Sequence, residues 1–366
     1  MKKHMISFPA ILSLLIIASL LPGCSGKSEI LTEEPAETAT AAASLDESPV
    51  LKIGMLTNGE QIDDNGINEL VWTGLSRAGV EFGFEPVYIE AEGADPSVLS
   101  EGIKAFADAG YKLIFCPGLA FSDPIAGAQE QYPDIRFVLI DAPLYAASNT
   151  AVVEFAVEHA GFVAAVASAV NFPGSEFGFI GGMETLVVKQ YFLGFQQGLE
   201  YATKYLGANA SLNPGNIVYL GSFMDMEGGR KTASRMFGDG VDIIFTAAGM
   251  SGAGAFQEAV ARTSESSRVW VVGVDVDQYG FGVYNDGDSV VLTSAIKKYD
   301  SAAYEVVRMY VNKSFPGGKT TVMGAEAGGV GIPGSNPNLS ESAVRAAQDA
   351  VESIGNGSII VRNTDD

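Results

Sequence analysis

Apolar runs of strand type alternate with amphipathic stretches along most of this chain, the pattern expected of βαβ units around parallel sheets. Leu51 to Leu56, Pro86 to Ile89, Leu113 to Pro117 and Phe137 to Asp141 read as strands, with helices such as Ile67 to Phe82 and Pro96 to Ala109 between them. These elements fill one doubly wound lobe. A second series follows in Phe177 to Gly181, Ile217 to Leu220, Val241 to Ala247 and Val269 to Asp275, again separated by helical patterns such as Val188 to Leu206. Thr150 to Phe155 and Val290 to Ile296 are strand-type runs at the joints between the two series. They are the candidates for strands that cross between lobes and act as a hinge, with a third crossing near Lys319 to Met323. The fold class expected is therefore α/β, with two Rossmann-like lobes joined by crossover strands.

The N-terminus carries a different pattern. Lys2 and Lys3 precede an apolar run from Ile6 to Leu21 that ends in Leu21-Pro22-Gly23-Cys24. That arrangement is a signal peptide closed by a bacterial lipobox, in which small residues let a peptidase reach the bond before the Cys24 to be lipidated. The run of about 16 residues falls short of the roughly 20 needed to span a bilayer. Two or three acyl chains would hold the protein on the membrane surface, outside the cytoplasm. Ser25 to Pro49 is rich in Ser, Thr, Ala and Glu and poor in aliphatics, so it reads as a flexible tether. The expected division is residues 1–23 as signal peptide, 24–49 as lipidated cysteine and tether, 50–155 with about 297–318 as lobe 1, and 156–296 with about 319–366 as lobe 2.

Composition narrows the chemistry. The formal charge of −22 becomes −24 once residues 1–23, with two lysines and no acid, are removed. A surface that acidic disfavours nucleic acid and suits a soluble monomer. With Cys24 assigned to the lipid, Cys116 stands alone in an apolar run, so no intramolecular disulfide is available and the thiol reads as buried packing. His159 is the one histidine after the signal. Such scarcity argues against a zinc site or a thiol nucleophile, and no cofactor is expected.

Ligands of open parallel sheets sit beyond the carboxyl ends of the strands. The residues there are Asn58, the segment Asp63-Asp64-Asn65-Gly66-Ile67-Asn68, Asp141, Phe223, Gly249, Asp275 and Lys297. Each has a plain structural reading as well. Asp64 and Asn65 are ordinary helix caps, Asp141 and Asp275 can cap loops, Phe223 can be core, Lys297 can be solvated, and Gly249 can serve a turn with positive φ. Their joint placement at strand ends favours a shared cleft.

These residues resemble the basic membrane protein (BMP/Med-like) family of ABC transporter substrate-binding lipoproteins, whose members are similar to purine-nucleoside receptors. The carriers are Asp64-Asn65-Gly66-Ile67-Asn68, Phe177-Gly178-Phe179-Ile180-Gly181-Gly182-Met183-Glu184 with Gly194-Phe195, and Ala247-Ala248-Gly249-Met250-Ser251-Gly252. Val272-Gly273-Val274-Asp275-Val276-Asp277-Gln278 followed by Thr293-Ser294-Ala295-Ile296-Lys297 is the most specific of them. The resemblance implies a type I periplasmic binding protein that binds a nucleoside and delivers it to an ABC permease. It further implies that Asp275 and Lys297 bind the ribose and Gly249 lets backbone approach the sugar. Phe223 would stack on the base, while Asn58, Asn68 and Asp141 fix polar edges. This chain departs from the family at Ile67, where an aromatic is usual, and at Gly66, where serine is usual. Ile67 covers a base face without π-stacking, which leaves the choice of base open. An enzyme is not expected, since neither glycine-rich segment has the G-x-G-x-x-G spacing. A receptor for a free sugar or other small metabolite is the alternative on the same fold.

Overall fold

Burial separates the strands from their surroundings at once. The computed structural model describes residues 51–263 and 268–364, and within them all of Ile53–Leu56, Leu113–Pro117 and Ile243–Ala247 is buried. Only a sheet covered on both faces has strands of this kind. The expectations for the signal peptide, Cys24 and the tether lie outside the described residues.

In chain order the first lobe runs β1 (Ile53–Leu56), α1 (Ile67–Phe82), β2 (Val87–Ile89), α2 (Pro96–Asp108), β3 (Leu113–Pro117), α3 (Ser122–Gln131), β4 (Arg136–Ile140) and β5 (Thr150–Phe155). The chain then continues through α4 (Val157–Asn171), β6 (Glu176–Gly181), α5 (Leu186–Leu206), β7 (Ser211–Tyr219), α6 (Met226–Gly238), β8 (Ile243–Ala247), α7 (Met250–Arg262) and β9 (Trp270–Asp275). A small hairpin of β10 (Val283–Asn285) and β11 (Asp288–Ser289) leads to β12 (Val291–Lys297) and α8 (Tyr299–Val311). The last elements are β13 (Lys319–Met323), β14 (Val330–Gly331) and α9 (Glu341–Gly355).

Two six-stranded sheets result, ordered β13-β5-β4-β3-β1-β2 and β14-β12-β9-β8-β6-β7. All pairings in them are parallel except β12 with β14. The chain changes sheets three times. After β5 it enters α4, which packs on α5 and α9 of the second lobe; after β12 it enters α8, which packs back on α1; after β13 it reaches β14. The joint strands β5 and β12 therefore each belong to a single sheet, and the crossings lie just beyond them. Hydrogen bonds from Ala156 N–H to the Met323 carbonyl (3.2 Å) and from Lys298 N–H to the Gly329 carbonyl (2.8 Å) tie the crossing segments side by side.

One boundary needs correction. Lys319–Met323, expected in lobe 2, pairs in parallel with β5 along its whole length, Lys319 opposite Ala151 and Met323 opposite Phe155. Its backbone completes the open edge of the first sheet, and only the segment after it returns to the second. Hydrophobic pattern is blind to this, because an edge strand with exposed Lys319, Thr320 and Val322 carries little apolar signal.

Helices α4 and α5 approach so closely that their glycines are required. A Cβ on Gly194 would lie 1.9 Å from the Glu158 carbonyl oxygen, and one on Gly161 would lie 2.4 Å from that of Tyr191. The seam thereby sets the position of α5 in the second lobe.

Candidate functional site

The carboxyl ends of the strands hold three groups of candidate residues, and the best built joins the two sheets. Asp141 follows β4 in the first sheet; Asp275 ends β9 and Lys297 ends β12 in the second. Lys297 Nζ lies 3.0 and 2.7 Å from the two oxygens of Asp141 and 2.9 Å from Oδ1 of Asp275. Its side chain is 5% exposed, while those of Asp141 and Asp275 are 25% and 46% exposed. Both aspartates have left-handed backbone, φ 61° at Asp141 and 68° at Asp275. Asp tolerates that region better than most residues, yet it stays strained, and such strain persists where surrounding structure imposes it.

Two tyrosines complete this group. Tyr299, at the start of α8, donates to Asp141 Oδ2 at 2.7 Å; Tyr191, on α5, donates to Asp275 Oδ1 at 3.1 Å and lies 3.4 Å from the Ala295 carbonyl. Sequence reading missed both. Tyr299 stands two residues past Lys297, a proximity that could have flagged it, whereas Tyr191 is brought in by α5 from far along the chain.

The electrostatics follow from burial. For Lys297 burial pulls the pKa down, but the carboxylates of Asp141 and then Asp275 outweigh it and hold the ammonium above the usual lysine range. Burial first, then the neighbouring carboxylates, push Tyr191 and Tyr299 well above the ordinary phenol value. All three groups thus bind protons more tightly folded than unfolded. Their stabilisation is complete below the unfolded values, about 10 for Tyr and 10.4 for Lys, and is lost as pH rises beyond them. Thermal melts are expected to be flat from about pH 8 to 9.5 and to drop steeply above about pH 10; a midpoint that holds steady to pH 11 would contradict this account.

The second group lies at β1 and α1. Asp64 accepts from the backbone N–H of Gly66 (2.7 Å), Asn68 (3.1 Å) and Glu69 (3.2 Å), so it does cap α1. The fully buried Asn68 donates through Nδ2 to Asn58 Oδ1 at 2.9 Å and to Asp64 Oδ2 at 3.0 Å. Asn68 therefore fixes the loop that carries Asn58. Gly118, at φ 97°, passes beside Asn58 and donates its N–H to the Ile140 carbonyl at 2.8 Å, which links this group to the strand before Asp141. Ile67 is half-buried against the core.

The third group lies at β7 and β8. The half-buried ring of Phe223 rests against Gly182, where a Cβ would come within 2.3 Å of its Cδ1, and its backbone lies beside Gly249, which sits at φ 56°. Ser251, fully buried, clamps the loop: its Oγ donates to the Ser222 carbonyl at 2.9 Å and accepts from Asp225 N–H at 2.8 Å. Hydrogen bonds and ion pairs thus join Asn58, Asp64 and Asn68, and separately Asp141, Asp275 and Lys297, while Phe223 and Gly249 meet through backbone and ring. A groove of about 370 Å³ is lined by Leu199, Thr203, Leu212 and Ile217 and by no residue of the three groups. Cys116 is fully buried in β3, where desolvation pushes its thiol far up, as packing requires.

Comparison with known proteins agrees with this architecture. A solute-binding protein of an ABC transporter system from Conexibacter woesei superposes with a TM-score of 0.68 at 20% identity, covering 86% of this chain and 99% of that one. A second from Aeropyrum pernix gives a TM-score of 0.64 at 21% identity over 86% of this chain and 94% of its own. At such identities these speak for the fold alone. In sequence, the chain is 28% identical to the ABC transporter nucleoside-binding protein BmpA of Lactococcus lactis, over 96% of this chain and 98% of that protein. It is 31% identical to Basic membrane protein A of Borreliella burgdorferi, over 90% of this chain and 88% of its relative. Residues 50–365 match the family model described as ABC transporter substrate-binding protein PnrA-like, and the chain belongs to that family.

Proposed function

We propose that this substrate-binding protein is an extracytoplasmic lipoprotein, anchored through Cys24, that captures a nucleoside, a purine nucleoside foremost, and delivers it to an ABC importer. The observation that carries the reading is the buried Lys297 between Asp141 of one sheet and Asp275 of the other, at the strand ends where such folds take ligands. The name of the Lactococcus lactis relative points the same way. In this reading Asp275 accepts hydrogen bonds from ribose hydroxyls and Lys297 balances its charge. Charge-assisted bonds of about 1.5–3 kcal/mol each offset desolvation of the sugar. Gly249 lets the backbone close on the sugar, and Phe223 stacks on one face of the base while Ile67 covers the other. Asn58 and Asp141 hold polar edges of the ligand, while the buried Asn68 and the cap residue Asp64 fix the Asn58 loop from beneath.

Transport then follows from geometry. A ligand held from both sheets favours the closed arrangement by its differential affinity, and the crossings just after β5, β12 and β13 supply the hinge. The closed form docks on the permease.

A thermal-shift screen of the chain from residue 27 onward tests the ligand, with purine and pyrimidine nucleosides, free bases and pentoses, followed by calorimetry. A binder at 100-fold excess over its Kd stabilises by about 2.7 kcal/mol. Purine nucleosides are expected to shift the melt and D-ribose is not. Phe223→Ala is expected to weaken nucleoside binding by about 1–3 kcal/mol, the worth of a base stacked on an aromatic ring. Stabilisation by sugars alone, with no effect of Phe223→Ala, would assign the cleft to a free sugar instead.

A further inference from the structure

The two carboxylates that flank Lys297 are not equivalent, and the difference points to Tyr191. Both oxygens of Asp141 are engaged: Lys297 reaches Oδ1 at 3.0 Å and Oδ2 at 2.7 Å, and the Tyr299 hydroxyl adds a bond to Oδ2. At Asp275 both Lys297 (2.9 Å) and the Tyr191 hydroxyl (3.1 Å) meet Oδ1. Among the described residues no donor is hydrogen-bonded to Oδ2, and the Asp275 side chain is 46% exposed against 25% for Asp141. Asp141 is thus a carboxylate held by both oxygens, whereas Asp275 is held by one, with the other left as an open acceptor.

We infer that Tyr191 is a positioning residue that pins Oδ1 of Asp275 so that Oδ2 is presented to a vicinal diol, making the site selective for ligands that carry one. The inference rests on the nucleoside reading above for which ligand bears the diol. Tyr191 is suited to the task because its own position is fixed. It is 2% exposed, and the backbone of its α5 turn lies against Gly161 of α4, where a Cβ would come within 2.4 Å of the Tyr191 carbonyl oxygen. Its hydroxyl has two acceptors within reach, Asp275 Oδ1 and the Ala295 carbonyl, and both lie on strands at the cleft. The left-handed backbone at Asp275, φ 68°, sets the direction of the side chain, and the tyrosine then restricts its rotation.

Tyr191→Phe removes the hydroxyl and keeps the ring, so the core of α5 should hold. Calorimetry with inosine and with 2′,3′-dideoxyinosine, on the wild type and on Tyr191→Phe, separates the roles. Loss of an ordered charge-assisted acceptor is expected to weaken inosine about tenfold, with the dideoxy compound changed less than twofold. A parallel fall for both compounds, or no fall for inosine, overturns the inference. Crystal structures of the two unliganded proteins give a readout independent of any nucleoside. One rotamer of Asp275 is expected in the wild type and more than one in Tyr191→Phe; a single unchanged rotamer in both overturns the positioning role. Failure of the wild type to bind inosine while the rotamer change is seen would defeat the nucleoside reading and leave the positioning role standing.

Discussion

Lys297→Met is expected to lower the stability of the protein by about 3 kcal/mol and to abolish ligand binding, the largest effect of any cleft substitution. Methionine fills much the same volume, so the loss is electrostatic. The substitution leaves Asp141 and Asp275, both turned toward the same spot, with no cation between them. Removing one partner from a buried ion pair costs about 3–5 kcal/mol, and the solvent access of both carboxylates places this case at the low end. Urea unfolding reads the change as a shifted midpoint at constant slope. Adding Asp141→Asn to Lys297→Met is expected to recover part of the loss, because the residues are coupled and the second change removes one of the stranded charges. A wild-type midpoint for the single variant would mean that the triad contributes nothing to the fold. Binding read on the same variant also bears on the proposed role of Lys297 beside the ribose.

Gly194→Ala is expected to be about as destabilising, through packing alone. In an exposed helix the exchange gains up to about 1 kcal/mol, since alanine is the better helix former. Here the new methyl would sit 1.9 Å from the Glu158 carbonyl oxygen, so α4 and α5 must separate. Overpacking of this kind costs about 1–3 kcal/mol, and contact with backbone places it at the top of that range. Gly127→Ala, in α3, is the control: nothing lies within 4 Å of its Cβ, and a gain of about 0.4–1 kcal/mol is expected. Thermal or urea unfolding of both variants gives the comparison, and equal midpoints would show that the α4–α5 seam yields easily. Because α5 carries Tyr191, a partly relaxed seam should also disturb its hydrogen bond to Asp275.

The amino-acid sequence and the tertiary structure contributed differently to this picture. Local pattern determined the elements, since a covered strand must be apolar throughout and a helix must repeat its apolar face: Ile67–Phe82 and Leu113–Pro117 are legible to the residue. The carboxyl ends of β4, β9 and β12 were legible to within one residue, so Asp141, Asp275 and Lys297 could be named from sequence as candidates at strand ends. Pairing across the chain could not be read that way. Lys319–Met323 has too weak an apolar pattern to declare its sheet, and its place beside β5 is decided by backbone hydrogen bonds to a segment far earlier in the chain. The same limit hid Tyr191. A tyrosine in the middle of an amphipathic helix reads as core, and it becomes a partner of Asp275 only because the close α4–α5 seam sets the helix where the hydroxyl reaches the strand end. Sequence thus determined which side chains stand at the ends of strands, a property of local spacing. The tertiary fold alone decided which of them share a proton donor or a charge, because those contacts join residues distant in the chain across two sheets.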